Sequence, residues 1–178
     1  MHTQRVLCKC HPFSMCVMHA GAVEGEEQCG RPLGMQFDPN NSDELYVADS
    51  SVGLVKVNIK SRDLKVLVPV NSTLGGRTVL NFPNDLVVLA NGSVFFTDSS
   101  RKFTRYQNRL EFFESRAHGE LLYYNPDGSY GVLRSGLFFP NGICLTHDKS
   151  ALLIAETTRA RILRYIIIII MIMDVGIL

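Results

Sequence analysis

The sequence predicts an all-β protein, a partial β-propeller of about three four-stranded antiparallel blades. Short runs rich in Val, Ile, Phe and Tyr alternate with turn residues along most of the chain. The same order of segments recurs three times, at a spacing of about 50 residues, as it does in propeller blades. Apolar residues with a helical period of 3.6 do not appear, which excludes an array of helix pairs.

The clearest copy of this unit is residues 82–100, FPNDLVVLANGSVFFTDSS. Its two apolar runs, 85–90 and 94–98, flank Asn91-Gly92, a dipeptide that supplies the positive φ values of a tight hairpin turn. The unit therefore predicts a β-hairpin. Altered copies of it occupy residues 31–51 and 139–158.

Three blades follow from this repeat. The first blade, 31–70, has predicted strands at 33–37, 44–49, 53–58 and 63–68. The second blade, 82–136, has strands at 85–90, 94–98, 120–124 and 130–134, with a long polar insert at 99–118. The third blade, 139–165, is incomplete, with strands at 142–146, 151–156 and 160–165. Since propellers have about four to eight blades, three do not close a ring, and we interpret the chain as a fragment.

Both ends lack this pattern. Residues 1–30 read as an irregular leader without the apolar core of a signal peptide. This leader contains soft metal ligands, but their spacing matches no common zinc site: Cys8, Cys10, His11, Cys16 and His19. Residues 166–178 form an apolar tail that is too short to span a bilayer as a helix. We interpret this tail as low-complexity sequence that replaces the continuation of the fold, rather than as an aggregation-prone segment.

Composition narrows the choice of partners and compartment. The 178 residues are 46% hydrophobic and 20% charged with a net charge of +1, as in ordinary globular proteins. Lys and Arg are scattered along the sequence, so we expect no nucleic acid and have no electrostatic reason to expect an anionic membrane. Five cysteines leave the redox compartment open. Sequons at Asn40, Asn71 and Asn91 favour the secretory lumen slightly.

An acidic residue ends the second strand of every predicted blade. These residues are Asp49, Asp98 and Glu156, each followed by two hydroxyl residues. A residue that every blade repeats is expected to be structural, because a ligand site needs different residues from different blades. We therefore predict that these acids accept hydrogen bonds from free backbone N–H groups at the strand ends.

Asn84 and Asn141 occupy a second repeated position, but the first copy has Leu33 there. First strands line the channel of a propeller, so two carboxamides at their start could offer oxygen ligands to a hard cation. Asn after Pro is also a common way to begin a turn. These residues alone favour the turn interpretation over the cation site.

Residues 29–165 resemble the strictosidine synthase-like family, through CGRPLG, LYVAD, FPNDL, VFFTDSS, GELLYYNPDG and FPNGICL. The resemblance covers about three quarters of the chain. It implies a six-bladed propeller similar in fold to calcium-dependent lactonases and arylesterases, in which an axial calcium polarises a substrate carbonyl. Asn84 and Asn141 match two of the calcium ligands of those relatives, which favours the cation site.

The resemblance also implies what this chain lacks. The relatives supply acidic ligands from blades that have no counterpart here, and the catalytic glutamate of strictosidine synthase lies in a late blade. We therefore expect a fragment of a hydrolase of small-molecule esters or lactones that is inactive alone, with weak or absent calcium binding, and no true strictosidine synthesis. The alternative is a non-catalytic, glycosylated, membrane-associated binding surface.

Two further residues are candidates for the channel mouth. Asp85 follows Asn84, and His118 ends the insert, although a surface role is also open to His118. No G-x-S-x-G motif is present, and no histidine lies near a plausible nucleophile, so a serine hydrolase is unsupported. Apolar blade faces without neighbours predict self-association.

Overall fold

The structure, a computed structural model, describes residues 30–167. The predicted irregular leader, with its Cys and His residues at positions 8–19, and most of the predicted tail lie outside these residues. The strands of the first blade are β1 (Pro32–Asp38), β2 (Asn41–Asp49), β3 (Gly53–Asn58) and β4 (Leu64–Pro69). Those of the second are β7 (Pro83–Val88), β8 (Val94–Asp98), β9 (Gly119–Tyr124) and β10 (Tyr130–Leu137). Those of the third are β11 (Pro140–Leu145), β12 (Ala151–Glu156) and β13 (Arg161–Ile166).

Each blade is an antiparallel meander in which every strand pairs with its neighbour along the chain. The sheet orders are β1-β2-β3-β4, β10-β9-β8-β7 and β11-β12-β13. The fold prediction is therefore confirmed, with four, four and three strands within the described residues. Strand β13 extends to Ile166, one residue into the predicted tail, and the backbone N–H of Ile167 still donates to Ser150 O.

The sequence did not predict a small hairpin, a short helix or the 3-10 turn at Thr157–Arg159 between β12 and β13. A small hairpin, β5 (Thr73–Leu74) with β6 (Arg77–Thr78), lies in the link between the first two blades. A short helix, α1 (Asn108–Glu114), lies in the insert of the second blade and follows a single 3-10 turn at Arg105–Gln107. The insert is therefore partly helical, and not only a polar connection. Neither this helix nor any other in the described residues has the length and apolar character needed to cross a membrane.

The hairpin turn at Asn91-Gly92 differs from the prediction. Only Gly92 has a positive φ, 82°, whereas a two-residue turn of the predicted kind needs one at both positions. The amide of Gly92 donates to Leu89 O, and the amide of Leu89 donates to Ser93 O. The turn is therefore one residue longer, closed by a glycine. The turn that joins β9 to β10 repeats this pattern at Gly128, with φ 91°.

Two apolar cores hold adjacent blades together. Residues of β2, β3 and β4 meet the second blade in the first core, which includes Leu54, Val68, Leu86, Phe96 and Leu122. The opposite face of the second blade meets the third in another core, which includes Phe95, Leu121, Leu152 and Ile154. The side chains alternate between the two faces of β8 and β9, because successive residues of a strand point to opposite sides.

The strand register defines two ends of the molecule. Pro83 pairs with Asp98, and Asp98 pairs with Glu120, so β7 begins where β8 ends and β9 begins. We call this end the upper face. It carries the inter-blade links and the connections after β2, β8 and β12. The other end, the lower face, carries the turns after β1, β3, β7, β9 and β11.

Candidate functional site

Asn84 and Asn141 lie at equivalent places on the upper face. Each is the second residue of the first strand of its blade, in β7 and β11. Strand β7 lies beside β1 on one side and beside β11 on the other, as the inner strands of consecutive propeller blades do. Asn84 is buried and Asn141 is half-buried. The structure therefore brings the two predicted cation ligands to neighbouring strands at one end of the molecule.

Ser99 determines which way the Asn84 carboxamide points. The Ser99 hydroxyl donates its hydrogen to Pro140 O at 2.8 Å, because a proline carbonyl can only accept. Ser99 Oγ must therefore accept from Asn84, and Asn84 Nδ2 lies 2.8 Å from it. The amide nitrogen faces Ser99 and Oδ1 faces away, where no hydrogen bond within residues 30–167 engages it.

Thr97 fixes the backbone on which Asn141 stands. Its hydroxyl donates to Asn141 O at 2.8 Å and accepts from the Asp85 amide at 3.1 Å. Thr97 and Ser99 both belong to the end of β8 and its exit, so the second blade holds the start of β11 by two hydroxyl bonds. The sequence did not predict this link between blades. The sequence feature that could have indicated this link is the pair of hydroxyl residues on either side of Asp98 in TDSS.

Asp85 connects the inner strands of all three blades. Its Oδ2 accepts from the Ile143 amide at 2.9 Å, and its Oδ1 accepts from the Leu86 amide at 2.9 Å. In the first blade, the backbone at Gly34 passes so close that a Cβ there would overlap Asp85 Oδ1. Both oxygens are occupied by backbone donors, so the residue predicted for the channel mouth acts in this structure as a tie between blades.

His118 makes its contacts within the insert and not with the inner strands. Its Nδ1 lies 3.1 Å from Glu111 Oε2, and its ring packs edge-on against Phe103 at 6.0 Å. Glu111 is fully buried on α1 and also accepts from the Ser100 hydroxyl at 2.6 Å. Sequence reasoning did not identify Glu111, because a helix in this insert was not predicted.

The three strand-end acids have the structural role that the repeat predicted. Asp49 Oδ1 accepts from the Arg31 amide at 2.9 Å, and Glu156 Oε1 accepts from the Phe138 amide at 2.8 Å. Asp98 Oδ1 accepts from the Phe82 amide. Each acid therefore binds the backbone just before the first strand of its own blade. This contact clasps the first hairpin of every blade at the upper face.

The acid that closes the second blade, Asp98, lies next to several charged side chains. Asp98 and Glu120 are both fully buried and are cross-strand partners. Glu120 Oε1 lies 2.7 Å from Arg77 Nη1 and 3.1 Å from Arg101 Nε, whereas Asp98 Oδ2 has no hydrogen-bond partner in the described part of the chain. Burial raises the pKa of Asp98 to about 7, against the effect of its two backbone donors and with the help of the Glu120 charge.

The three predicted sequons differ in their surroundings, although all three asparagines are exposed. Asn40 Nδ2 donates to Ala90 O across the first two blades at 2.6 Å. Asn40 and Asn91 both line a lower-face groove of about 380 Å³ between these blades, together with Lys56 and Tyr124. Asn71 lies in the inter-blade link with φ 64°. This groove is at the end of the blade opposite to Asn84.

The carboxamide oxygens of Asn84 and Asn141 are the type of ligand that calcium binds, but two of them are too few for a complete site. Carboxamide oxygens are hard ligands, and Asn84 Oδ1, which no hydrogen bond engages within residues 30–167, is available to a cation. Calcium takes about six to eight oxygens, so the two asparagines provide part of a site. Within residues 30–167, no three His, Cys, Asp or Glu side chains group as a metal cluster.

Comparisons with known proteins agree with this architecture. The family model described as strictosidine synthase matches residues 84–169. The adipocyte plasma membrane-associated protein of Danio rerio is 42% identical over 146 residues, which are 81% of this chain and 34% of that protein. Protein strictosidine synthase-like 13 of Arabidopsis thaliana is 38% identical over 141 residues, 79% of this chain and 34% of that protein. The chain belongs to the strictosidine synthase-like family.

As a strictosidine synthase-like chain, it spans about a third of the length of the curated relatives that it matches. The human adipocyte plasma membrane-associated protein is 40% identical over 143 residues, 79% of this chain and 34% of its own length. The named relatives thus include plasma membrane-associated proteins of vertebrates and a plant protein.

Solved structures support the propeller fold of this strictosidine synthase-like chain. A gluconolactonase from Xanthomonas campestris superposes with a TM-score of 0.57 at 22% identity, over 76% of this chain and 44% of that chain. A second, provisionally assigned gluconolactonase gives a TM-score of 0.58 at 19% identity, over 75% of this chain and 44% of that chain. At these identities the likeness concerns the fold alone.

Proposed function

We propose that this chain is part of a calcium-dependent propeller hydrolase of small-molecule esters or lactones, to which Asn84 and Asn141 contribute two cation ligands. The observation that carries the proposal is the orientation of Asn84, since the Ser99 hydroxyl binds its amide nitrogen and leaves its oxygen facing away from Ser99. The resemblance of FPND and FPNG to the ligand motifs of the calcium-dependent lactonases supports the same assignment.

Three residues of this chain would hold the two asparagine ligands in position for the ion. Ser99 orients the Asn84 oxygen, and Thr97 and Asp85 hold the backbone of β11 that carries Asn141. A bound calcium ion would act as a Lewis acid toward a substrate carbonyl and an attacking water. Two neutral ligands bind such an ion weakly, so this chain by itself should be inactive.

Calcium titration of the purified chain tests the site. We expect no thermal shift at micromolar calcium and a dissociation constant on the order of 10⁻³ M, as for sites with few ligands. Asn84→Asp should tighten calcium binding, because a carboxylate adds a charge at the same position. Asn84→Ala should abolish the binding. Asn125→Ala, which alters an amide on the lower face, is the matched control and should leave it unchanged.

A clear thermal shift at micromolar calcium in the parent chain would contradict the expected ligand count. Equal calcium binding in the parent, Asn84→Asp and Asn84→Ala proteins would remove the site assignment altogether. In a longer protein that contains this segment with its remaining blades, Asn84→Ala should abolish calcium-dependent hydrolysis of an aryl ester or a lactone.

A non-catalytic role is the second candidate, namely a glycosylated, membrane-associated propeller of the secretory pathway. The exposed sequon asparagines Asn40, Asn71 and Asn91 favour it, as do relatives that are named for association with the plasma membrane. Expression of the chain behind a secretory signal, followed by glycosidase digestion, measures whether these asparagines carry glycans. A full-length protein that binds no calcium but carries these glycans would favour this role over hydrolysis.

A further inference from the structure

The insert of the second blade presents its apolar side chains to solvent. On α1, Leu110 is 49% exposed and Phe113 is 86% exposed, and Tyr106, just before the helix, is 72% exposed. Glu111, the charged residue between them, is fully buried. A surface helix normally buries its apolar face and exposes its charges. Contiguous exposed apolar surface of this kind marks an interaction site.

Specific contacts hold the helix in this orientation. Glu111 Oε2 accepts from the Ser100 hydroxyl at 2.6 Å and lies 3.1 Å from His118 Nδ1. On the next residue, the ring of Phe112 packs against Phe139 of the link to the third blade, with centroids 4.7 Å apart. Glu111 and Phe112 thus anchor one side of α1, which leaves Leu110 and Phe113 on the outer side.

The connections of the upper face also concentrate positive charge. Those after β8 and β12 carry six basic residues: Arg101, Lys102, Arg105, Arg109, Arg116 and Arg159. Of the acids in these connections, Glu111 is buried, and Glu114 lies 2.6 Å from Lys102 Nζ and 3.6 Å from Arg116 Nε. Arg101 is paired with the buried Glu120 at 3.1 Å. The lower-face turns instead carry three acidic and three basic residues: Asp63, Asp127, Asp148, Lys60, Arg62 and Lys149. The upper-face connections after β8 and β12 therefore have an excess of basic residues that the lower-face turns do not have.

We propose that the upper face docks on the surface of an anionic phospholipid bilayer. Tyr106, Leu110 and Phe113 would enter the headgroup region, and Arg109 and Arg116 would contact lipid phosphates and carboxylates. Exposed aromatic and aliphatic side chains among basic residues are the combination that binds such surfaces. This docking differs from the expectation from sequence, which found no electrostatic reason for an anionic membrane and which stays a prediction.

This docking does not depend on hydrolysis or on calcium. Asn84 and Asn141 lie on the same face, so a docked propeller would turn the start of its inner strands toward the bilayer. A hydrolase oriented in this way would meet substrates that partition into lipid.

Vesicle flotation with the full chain tests the proposal, since only protein bound to lipid floats and aggregates do not. We expect the chain to float with vesicles that contain about 30% phosphatidylserine but not with pure phosphatidylcholine, and to bind less as salt rises above about 0.1 M. The double variant Tyr106→Ser and Phe113→Ser should bind roughly tenfold less, since two apolar rings no longer leave water.

Matched changes on the lower face separate docking from general effects. Ile59→Ser removes an apolar side chain that is 48% exposed there and should leave flotation unchanged. Arg109→Glu with Arg116→Glu should lower binding about tenfold, whereas Lys60→Glu with Arg62→Glu should not. Circular dichroism of each variant confirms that the fold is retained.

Three results would overturn the proposal. The first is equal flotation with anionic and neutral vesicles, and the second is an equal loss in upper-face and lower-face variants. The third is tighter binding to a poly(dT) oligonucleotide than to anionic vesicles, which would assign the basic surface to nucleic acid.

Discussion

The clasps of the first and second blades use the same residue in different surroundings. Asp49 pairs across the sheet with Gly53 and accepts from the amides of Arg31, Ser51 and Val52. Asp98 pairs instead with Glu120, lies fully buried beneath the insert, and has one oxygen without a hydrogen-bond partner among residues 30–167. The repeated aspartate is thus surrounded by backbone donors in the first blade, whereas in the second blade it is buried next to another acid.

The third blade extends this contrast. There the clasp is Glu156, and its cross-strand partner is Arg161, which also forms an ion pair with it. The partner position is therefore neutral, acidic and basic in the three successive blades. The repeat conserves the hydrogen bonds of the clasp, whereas the residue opposite decides its charge. Comparing blades separates the scaffold from features that are specific to one blade.

The largest expected effect concerns another repeated position, where Gly34 and Gly142 flank Asp85. Gly34→Ala should destabilise the protein by about 3 kcal/mol, because its Cβ would overlap Asp85. That Cβ would stand 2.5 Å from Asp85 Cα, which cannot move aside as a side-chain end could. In Gly142→Ala the nearest atom is 3.8 Å away, so the loss should be small. Urea unfolding of both variants measures the difference, and equal losses would contradict this packing.

Substitutions at Asp98 should have the next largest effect. Asp98→Ala should cost about 2 kcal/mol, because the buried amide of Phe82 and the half-buried amide of Asn81 lose their acceptor. Asp98→Asn keeps a neutral acceptor and should cost less than about 1 kcal/mol. Asp49→Asn is the control in the first blade. If Asp98→Asn were as harmful as Asp98→Ala, the clasp of the second blade would need the full negative charge.

The pH dependence of stability is a smaller effect, and it also depends on Asp98. The pKa of Asp98 is about 7 in the folded protein against an ordinary value of 3.8, so the folded state binds more protons between these values. Its contribution to stability is complete below about pH 4 and is lost as pH rises through about 7, with a slope of at most about 1.4 kcal/mol per unit. Unfolding from pH 5 to pH 8 should show this decline.

The same measurement on Asp98→Asn should give a flatter pH profile than the parent protein gives. A slope that persists in Asp98→Asn would assign the pH dependence to groups other than Asp98.

The sequence predicted the fold well because its signals are local. Strand patterns bounded by turn residues, and a unit repeated in order, require no knowledge of distant contacts. Helix α1 was missed because its seven residues, NRLEFFE, contain a buried glutamate and exposed rings. This pattern opposes the helical amphipathicity that sequence reasoning relies on. The tertiary contacts of Glu111 and Phe112 determine it.

The candidate site was predictable only in part for the same reason. Repeat alignment brought Asn84 and Asn141 to equivalent positions, and the structure places them on neighbouring inner strands. Whether they bind calcium stays a prediction. The tie at Asp85 and the orienting hydroxyl of Ser99 could not be predicted, because each joins strands about 40 to 60 residues apart. The expected self-association through unpaired blade faces also stays a prediction, which size-exclusion chromatography can test.

The clasp also bears on how such a protein can evolve. Each acid binds a backbone amide only 16 to 18 residues earlier in the chain, within its own first hairpin. Every strand ladder likewise joins strands that are consecutive in sequence. A blade therefore carries its own closing contact wherever it is copied, and recombination between blades would transfer a unit that is already complete at its upper end.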